Sequence, residues 1–284
     1  MSIKIISCHP IFTENAVMIS QRYNVPIEQS FNPQIGDLYL VFGGHEQAVA
    51  LYMSQQQMNN EFGYIIYNSE QFHSIHWKNK YYIELCRNNP VFHYSLELAR
   101  DIKEKFKIVP YSYFFFDFMV WAKESIEEHE HYDIVFVGQK NEKREAIEAE
   151  LREKLPDKKI LFEYNWGYSN PQKLTSLLMN SSIILNIPFF YPNYLETHRI
   201  NKALSCGCKV VSLFAADDDA NEFYKDYVYF TNNIPKLLQS ELDEPKKDWQ
   251  TFNKEAGAKL HQDNLYVIQQ VYDKLKARLE TIKK

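Results

Sequence analysis

Apolar residues along this chain fall in short runs, separated by stretches with helical spacing. Ile3–Cys8, Asp37–Phe42, Tyr64–Tyr67, Val91–Tyr94 and Ile108–Tyr111 each read as a strand. A helical stretch opens at His45, directly after Gly43-Gly44, and a charged helix runs through Lys105. Strand and helix alternating at this spacing predict a parallel sheet with helices on its faces. The texture changes at Lys123–His131 (KESIEEHEH), which is polar and charged without an apolar period. This stretch is placed as the linker, giving an N-terminal domain of residues 1–125 and a C-terminal domain of residues 126–284.

The pattern then restarts. Ile134–Val137 reads as a strand ending at Gly138, followed by a strongly charged helix from Glu142 to Lys154. Pro156-Asp157 is a turn, Ile160–Tyr164 a strand, and Pro171–Met179 a helix capped by Ser169 or Asn170. Ile183–Ile187 and Lys209–Phe214 read as strands on either side of a helix over Glu196–Ser205. The tail from Lys254 to Lys284 is one long helical pattern, with Leu265, Ile268, Tyr272, Leu275 and Leu279 on one face and Val271 beside them. It is grouped with the C-terminal domain. The expected class is therefore α/β, with two Rossmann-like domains facing across a cleft and a C-terminal helix. Ligands of such sheets bind outside the carboxyl ends of the strands.

Composition narrows the function classes. The 284 residues suit two domains, and a net charge of −5 without a basic stripe argues against nucleic acid as a partner. No window reaches the ~20 apolar residues of a membrane-spanning helix, and the N-terminus lacks the layout of a signal peptide. A soluble, cytoplasmic protein is expected. Aromatics are abundant, with 20 Tyr and 19 Phe, and such rings line clefts that bind sugars or bases as well as filling cores. Cys8, Cys86, Cys206 and Cys208 do not make a metal-binding spacing and read as small apolar residues.

The chemistry concentrates in Asn186–Ser212, NIPFFYPNYLETHRINKALSCGCKVVS. A buried strand gives way to a loop, and Glu196-Thr197-His198-Arg199 opens a helix ending at Gly207. This places main-chain N–H groups and the positive end of a helix dipole at the sheet's carboxyl edge, a setting that favours a diphosphate. A carboxylate at the helix start can accept the two hydroxyls of a ribose, and Arg199 can reach phosphate with its fork of donors.

The run Glu196-x-x-Arg199-x-x-x-Ala203-Leu204-x-x-Gly207-x-x-Val210-Val211-Ser212 resembles the nucleotide-sugar motif of GT-B glycosyltransferases, in particular the small glycosyltransferase-like proteins of bacteria and large DNA viruses. Val135-Phe136-Val137-Gly138 followed by Arg144 is similar to the first strand and glycine turn of their donor domain. Tyr67-Asn68-Ser69-Glu70-Gln71 and His93-Tyr94-Ser95 resemble strand ends of their acceptor domain. The resemblance implies a GT-B glycosyltransferase with a UDP- or GDP-linked sugar as donor, a carbohydrate or other hydroxyl acceptor, and no cofactor or obligatory metal. Its donor-binding set here is Gly138, Arg144, Tyr164, Trp166, Tyr194, Leu195, Glu196 and Arg199, with Lys140 a further cation for phosphate. The second Glu that retaining families carry about eight residues earlier would fall at Pro188 or Phe189, so this sequence leaves retention and inversion open.

An inverting transfer needs a group that takes the acceptor's proton. Glu70 is the carboxylate favoured, His45 and Glu46 come next, and His9 and His93 also stand at strand ends. Asp217-Asp218-Asp219 has the D-x-D spacing that can hold Mg²⁺ or Mn²⁺, but it lies beyond the anion-binding helix and reads as an acidic loop and helix cap. Two other readings share the same architecture: a sugar-nucleotide epimerase, and a binding protein that holds nucleotide or sugar without turnover.

Overall fold

The computed structural model describes the chain except for Met1, Phe31, Pro33, residues 59–61, 72–73, 114–129, 165–170, 191–192, Glu241, 243–244 and 283–284. Two compact units emerge: Met1–Phe116 together with Ala258–Lys284, and Asp117–Gly257. The boundary expected near residue 125, most of the 123–131 linker, and the Ser169 or Asn170 cap lie outside the described residues.

The first unit is built on strands β1 (Ile3–Ser7), β2 (Leu38–Phe42), β3 (Gly63–Asn68), β4 (Val91–His93) and β5 (Pro110–Tyr113). They are all parallel and lie side by side in chain order. Helices α1 (Thr13–Tyr23), α2 (Gln47–Met58), α3 (Lys80–Asn88) and α4 (Leu96–Phe106) connect them. Local chemistry sets the helix ends. Asn79 accepts hydrogen bonds from the Tyr81 and Tyr82 N–H groups, and Ser95 from that of Leu98. All five residues of β2 are buried, as a central parallel strand requires. The last strand begins two residues later than the apolar run at Ile108 suggests. Pro110 has no N–H to give a ladder and so stands at the strand's first position.

A single parallel bridge pairs Ile27 with Ile5 on the outer edge of β1. The chain therefore goes out to one side of β1 and returns on the other as β2. This reversal creates a topological switch point at the carboxyl ends of β1 and β2.

The second unit contains β6 (Tyr132–Gly138), α5 (Glu142–Lys154), β7 (Ile160–Tyr164), α6 (Pro171–Met179), β8 (Ser181–Asn186), α7 (Thr197–Ser205), β9 (Lys209–Leu213), α8 (Asp218–Tyr224), β10 (Val228–Thr231), α9 (Ile234–Gln239) and α10 (Trp249–Phe252). Its parallel sheet has the order β10-β9-β8-β6-β7, so the direction of winding reverses between β6 and β8. Phe136, Phe162, Leu185, Val211 and Ile234 are among the residues that form its core. The four-residue strand β10 is not evident in the sequence, where it closes an aromatic-rich stretch, Phe223–Thr231. Both units together give the α/β class with two parallel sheets.

The final helix, α11 (Ala258–Ile282), belongs to the first unit rather than to the second, with which its position in sequence grouped it. Its buried stripe is His261, Asn264, Ile268, Val271 and Leu275. Leu265, expected on the buried face, is 43% exposed. The stripe keeps a three-four spacing but starts on two polar residues, so apolar periodicity alone misplaces its N-terminal turns. Those polar residues meet α1: the Tyr23 hydroxyl lies 2.9 Å from His261 Nδ1 and 3.4 Å from Asn264 Nδ2. Further along, Leu275 packs so close to β3 that a Cβ on Gly63 would stand 3.3 Å from its methyl. Among the described residues no helix is long and apolar enough to cross a membrane.

Two consequences can be measured. Leu275→Ala should destabilise the first unit by about 2–4 kcal/mol in urea melts, through lost transfer energy plus the cavity left behind. Burial also lowers His93 and His261 to a pKa of about 3. Both are neutral in the folded unit and titrate near 6.5 when unfolded. The stability this contributes is complete above pH 6.5 and lost as the pH falls towards 3, at up to about 1.4 kcal/mol per pH unit for each group. Replacing His261 by Gln should flatten that acid slope in pH-dependent urea melts.

Candidate functional site

In the second unit the switch point lies between Gly138, which ends β6, and Asn186, which ends β8. A Cβ on Gly138 would stand 2.9 Å from the Phe136 ring and 3.2 and 3.3 Å from the guanidinium nitrogens of Arg199 and Arg144. Only glycine leaves room for two arginines at this strand end. Both guanidiniums lie over the same Phe136 ring, at 4.8 Å for Arg144 and 5.1 Å for Arg199.

The two arginines do different work. Arg144 is buried and committed to the main chain. Its Nε and Nη2 donate to the carbonyl of Ile187 at 3.0 and 2.5 Å, and its Nη1 donates to that of Gln139 at 2.6 Å. Asn141 caps α5 by accepting from the Arg144 N–H, while its Nδ2 donates to the Phe189 carbonyl at 3.3 Å. Together these bonds fasten the loop after β8 to the loop after β6. Arg144 thus shapes the site from beneath.

Arg199 is partly exposed and pairs with Glu196 at 2.8 Å. Its Nη1 also lies 3.4 Å from Asn186 Oδ1, and Asn186 Nδ2 is held by Ser212 at 3.0 Å. Glu196 occupies the N-cap position of α7, yet its carboxylate makes no capping bond. It faces the arginines instead, with Arg144 Nη2 at 3.7 Å. The site therefore carries two cations and one carboxylate, partly open to solvent, at the positive end of a nine-residue helix. His198, half-buried beside them, is pushed down to a pKa of about 4 by desolvation and adds no charge at neutral pH.

The other expected donor residues spread around this centre. Tyr164 pairs with Gly138 across the β6–β7 ladder, and its hydroxyl donates to Glu148 at 2.8 Å. The Lys140 ammonium lies 5.8 Å from the Tyr164 ring and pairs with Glu145. Tyr194 and Leu195 are 1% exposed each, so their side chains are buried. Trp166 lies outside the described residues. Asp217 is buried and caps α8, accepting from the Ala220 N–H at 3.0 Å.

The first unit carries a second cluster at its own switch point. Gly43 turns the chain out of β2 with φ 76°, and a Cβ there would stand 2.9 Å from Phe12 and 3.0 Å from His9. The turn delivers His45, 6% exposed, against the end of β3. His45 Nε2 lies 3.5 Å from Glu70 Oε1 and 3.8 Å from Glu46 Oε1. Burial lowers the His45 pKa, and Glu70 opposes that shift.

Glu70 is held by its surroundings. Ser74 donates to its Oε2 at 2.6 Å, its own N–H donates to Asn68 Oδ1, and Asn68 and Trp77 both donate to its carbonyl. Asn68 is fixed in turn by the Tyr82 hydroxyl at 2.8 Å and by His93 at 3.1 Å. Glu70, His45 and Glu46 are thus brought together, as the sequence singles them out. His93 backs Asn68 from the interior, and His9 borders Gly43 and Phe12. Sequence reasoning missed His76, whose ring lies 4.4 Å from that of His45 and whose Nε2 is 4.0 Å from Glu70 Oε2. It stands in a single 3₁₀ turn, Ile75–Lys78, where no periodicity marks it.

No protein-family model matches this sequence, and no curated protein matches it. Solved structures do. An α,α-trehalose 6-phosphate synthase from Burkholderia multivorans superposes with a TM-score of 0.55 at 9% identity, covering 97% of this chain and 76% of that one. An α,α-trehalose-phosphate synthase (UDP-forming) from Burkholderia vietnamiensis gives 0.53 at 10% identity, covering 94% of this chain and 79% of that one. At such identities the likeness is one of fold, and the chain has the two-sheet α/β architecture of the GT-B class.

Proposed function

We propose that this protein is a GT-B glycosyltransferase that moves a sugar from a UDP- or GDP-linked donor to the hydroxyl of a carbohydrate acceptor, with no metal in the transfer step. The observation that carries this reading is Glu196 and Arg199, at the start of α7, at the switch point beside Gly138. Glu196 would accept the ribose hydroxyls. Arg199 and the N-terminus of α7 would hold the diphosphate and stabilise the charge that develops as it departs. One structural neighbour is a synthase described as UDP-forming, which is consistent with that assignment.

The His45–Glu70 pair supplies the base. In the proposed step the acceptor oxygen bonds to the anomeric carbon, the bond from that carbon to the diphosphate oxygen breaks, and the acceptor's proton passes to the pair. A base of this kind favours direct displacement with inversion. The reading requires donor and acceptor, held on different units, to be brought together during the reaction.

Thermal melts with UDP, GDP, ADP, CDP and dTDP in EDTA test the donor site. One of these at a hundred times its Kd should stabilise the protein by ~2.7 kcal/mol. Glu196→Ala should weaken that nucleotide's shift, and no shift with any of the five would contradict the reading. A transfer assay with the sugar donor of the active nucleotide tests the base. Glu70→Gln and His45→Gln should each lose roughly 10²–10⁴-fold in kcat while keeping the wild-type nucleotide shift. Full activity in both would remove the pair from the mechanism.

A further inference from the structure

His45 follows β2, Glu70 and His76 both stand between β3 and α3, and one ligand atom from each lies within 4.8 Å of the other two. We infer that these three side chains form a binding site for a divalent transition cation of the zinc class. Two imidazoles and one carboxylate are the donor set such ions take, with a fourth position left open. At metal–ligand distances of about 2.0 Å, neighbouring donors of a tetrahedral ion stand about 3.3 Å apart. His45 Nε2 and Glu70 Oε1 are already at 3.5 Å, and His76 Nε2 is 4.0 Å from Glu70 Oε2. Small side-chain rotations close the set. Glu46 Oε1, 3.8 Å from His45 Nε2 on an exposed side chain, is placed to take the fourth position or to bond a water there.

The surroundings hold the ligands near the positions a metal needs. Ser74 fixes the Glu70 carboxylate, and the Asn79 side chain donates to the His45 carbonyl at 3.2 Å. Ser74 and Asn79 also cap the 3₁₀ turn that carries His76 and the helix α3 after it. Outer contacts of this kind orient the ligands themselves. His45 is nearly buried, while Glu70 and His76 are partly open, with side chains 19% and 27% exposed, which leaves an entry path.

Occupancy has a consequence that rests on the function proposed above. A bound cation ties up the lone pair of His45 Nε2 and the charge of Glu70, the two groups that receive the acceptor's proton. The metal therefore inhibits transfer instead of supporting it, and chelation raises activity.

Calorimetric titration of the chelator-stripped full chain with ZnCl₂ tests the site itself, with CoCl₂ as an optical probe. The expected result is one ion per chain, visible cobalt bands of a four-coordinate centre, and at least about 100-fold weaker binding in both His76→Gln and Glu70→Gln, beyond the about 10–100-fold that loss of an outer partner costs. Metal-free melts of the two variants check that they fold. Absence of stoichiometric binding, or binding unchanged in both variants, overturns the site. The nucleotide-induced shift of the second unit is recorded in the same samples. It should be the same with and without zinc, so a missing nucleotide shift counts against the transferase reading alone. Zinc that binds at the site yet leaves an established transfer rate unchanged overturns the inhibitory role.

Discussion

Arg144 and Arg199 lie over a single ring, that of Phe136, and two guanidiniums so close repel one another unless an anion stands between them. Glu196 is that anion. The arrangement depends on the missing side chain of Gly138 and on the loop after β8, which Arg144 pins through the Ile187 carbonyl. It also explains the division of labour between the arginines. Arg144 has its donors occupied by main-chain oxygens and is buried, so moving it onto a ligand would leave those carbonyls without partners. Arg199 holds a carboxylate that is itself partly exposed, and can exchange it for a phosphate at small cost.

The two units solve the same problem with different materials. Each reverses its winding at one point in a parallel sheet, and each puts a glycine there: Gly138 in the second unit and Gly43 in the first. In the second unit the opening admits cations and a helix N-terminus, which suit a diphosphate. In the first it admits imidazoles and carboxylates, which suit proton transfer or a metal. Fold alone does not decide chemistry, and here the difference rests on the side chains gathered around each glycine.

Much of the sheet structure was legible in the sequence, because parallel strands buried on both faces appear as unbroken apolar runs such as Leu38–Phe42 and Ile134–Val137. The Glu196 helix was legible because its charged start, apolar face and closing Gly207 all lie within about a dozen residues. Contacts that depend on irregular backbone or on long sequence separations were not. His76 is brought to Glu70 by a short turn that the Ser74 and Asn79 caps hold in place, and Ile27 makes its bridge through a single residue. Place in the chain groups the terminal helix with the second unit, whereas its packing is decided by contacts such as Tyr23–His261, 238 positions apart. Polar residues on a buried stripe are invisible to a hydrophobic period.

The central claim is where the nucleotide binds. A crystal structure with the nucleoside diphosphate that stabilises the protein most measures it directly. The account predicts diphosphate density at the N-terminus of α7 against Arg199, ribose hydroxyls on Glu196, and Arg144 still bonded to the Ile187 and Gln139 carbonyls. Nucleotide found away from the β6–β8 switch point, with the Glu196–Arg199 pair unchanged, would contradict it.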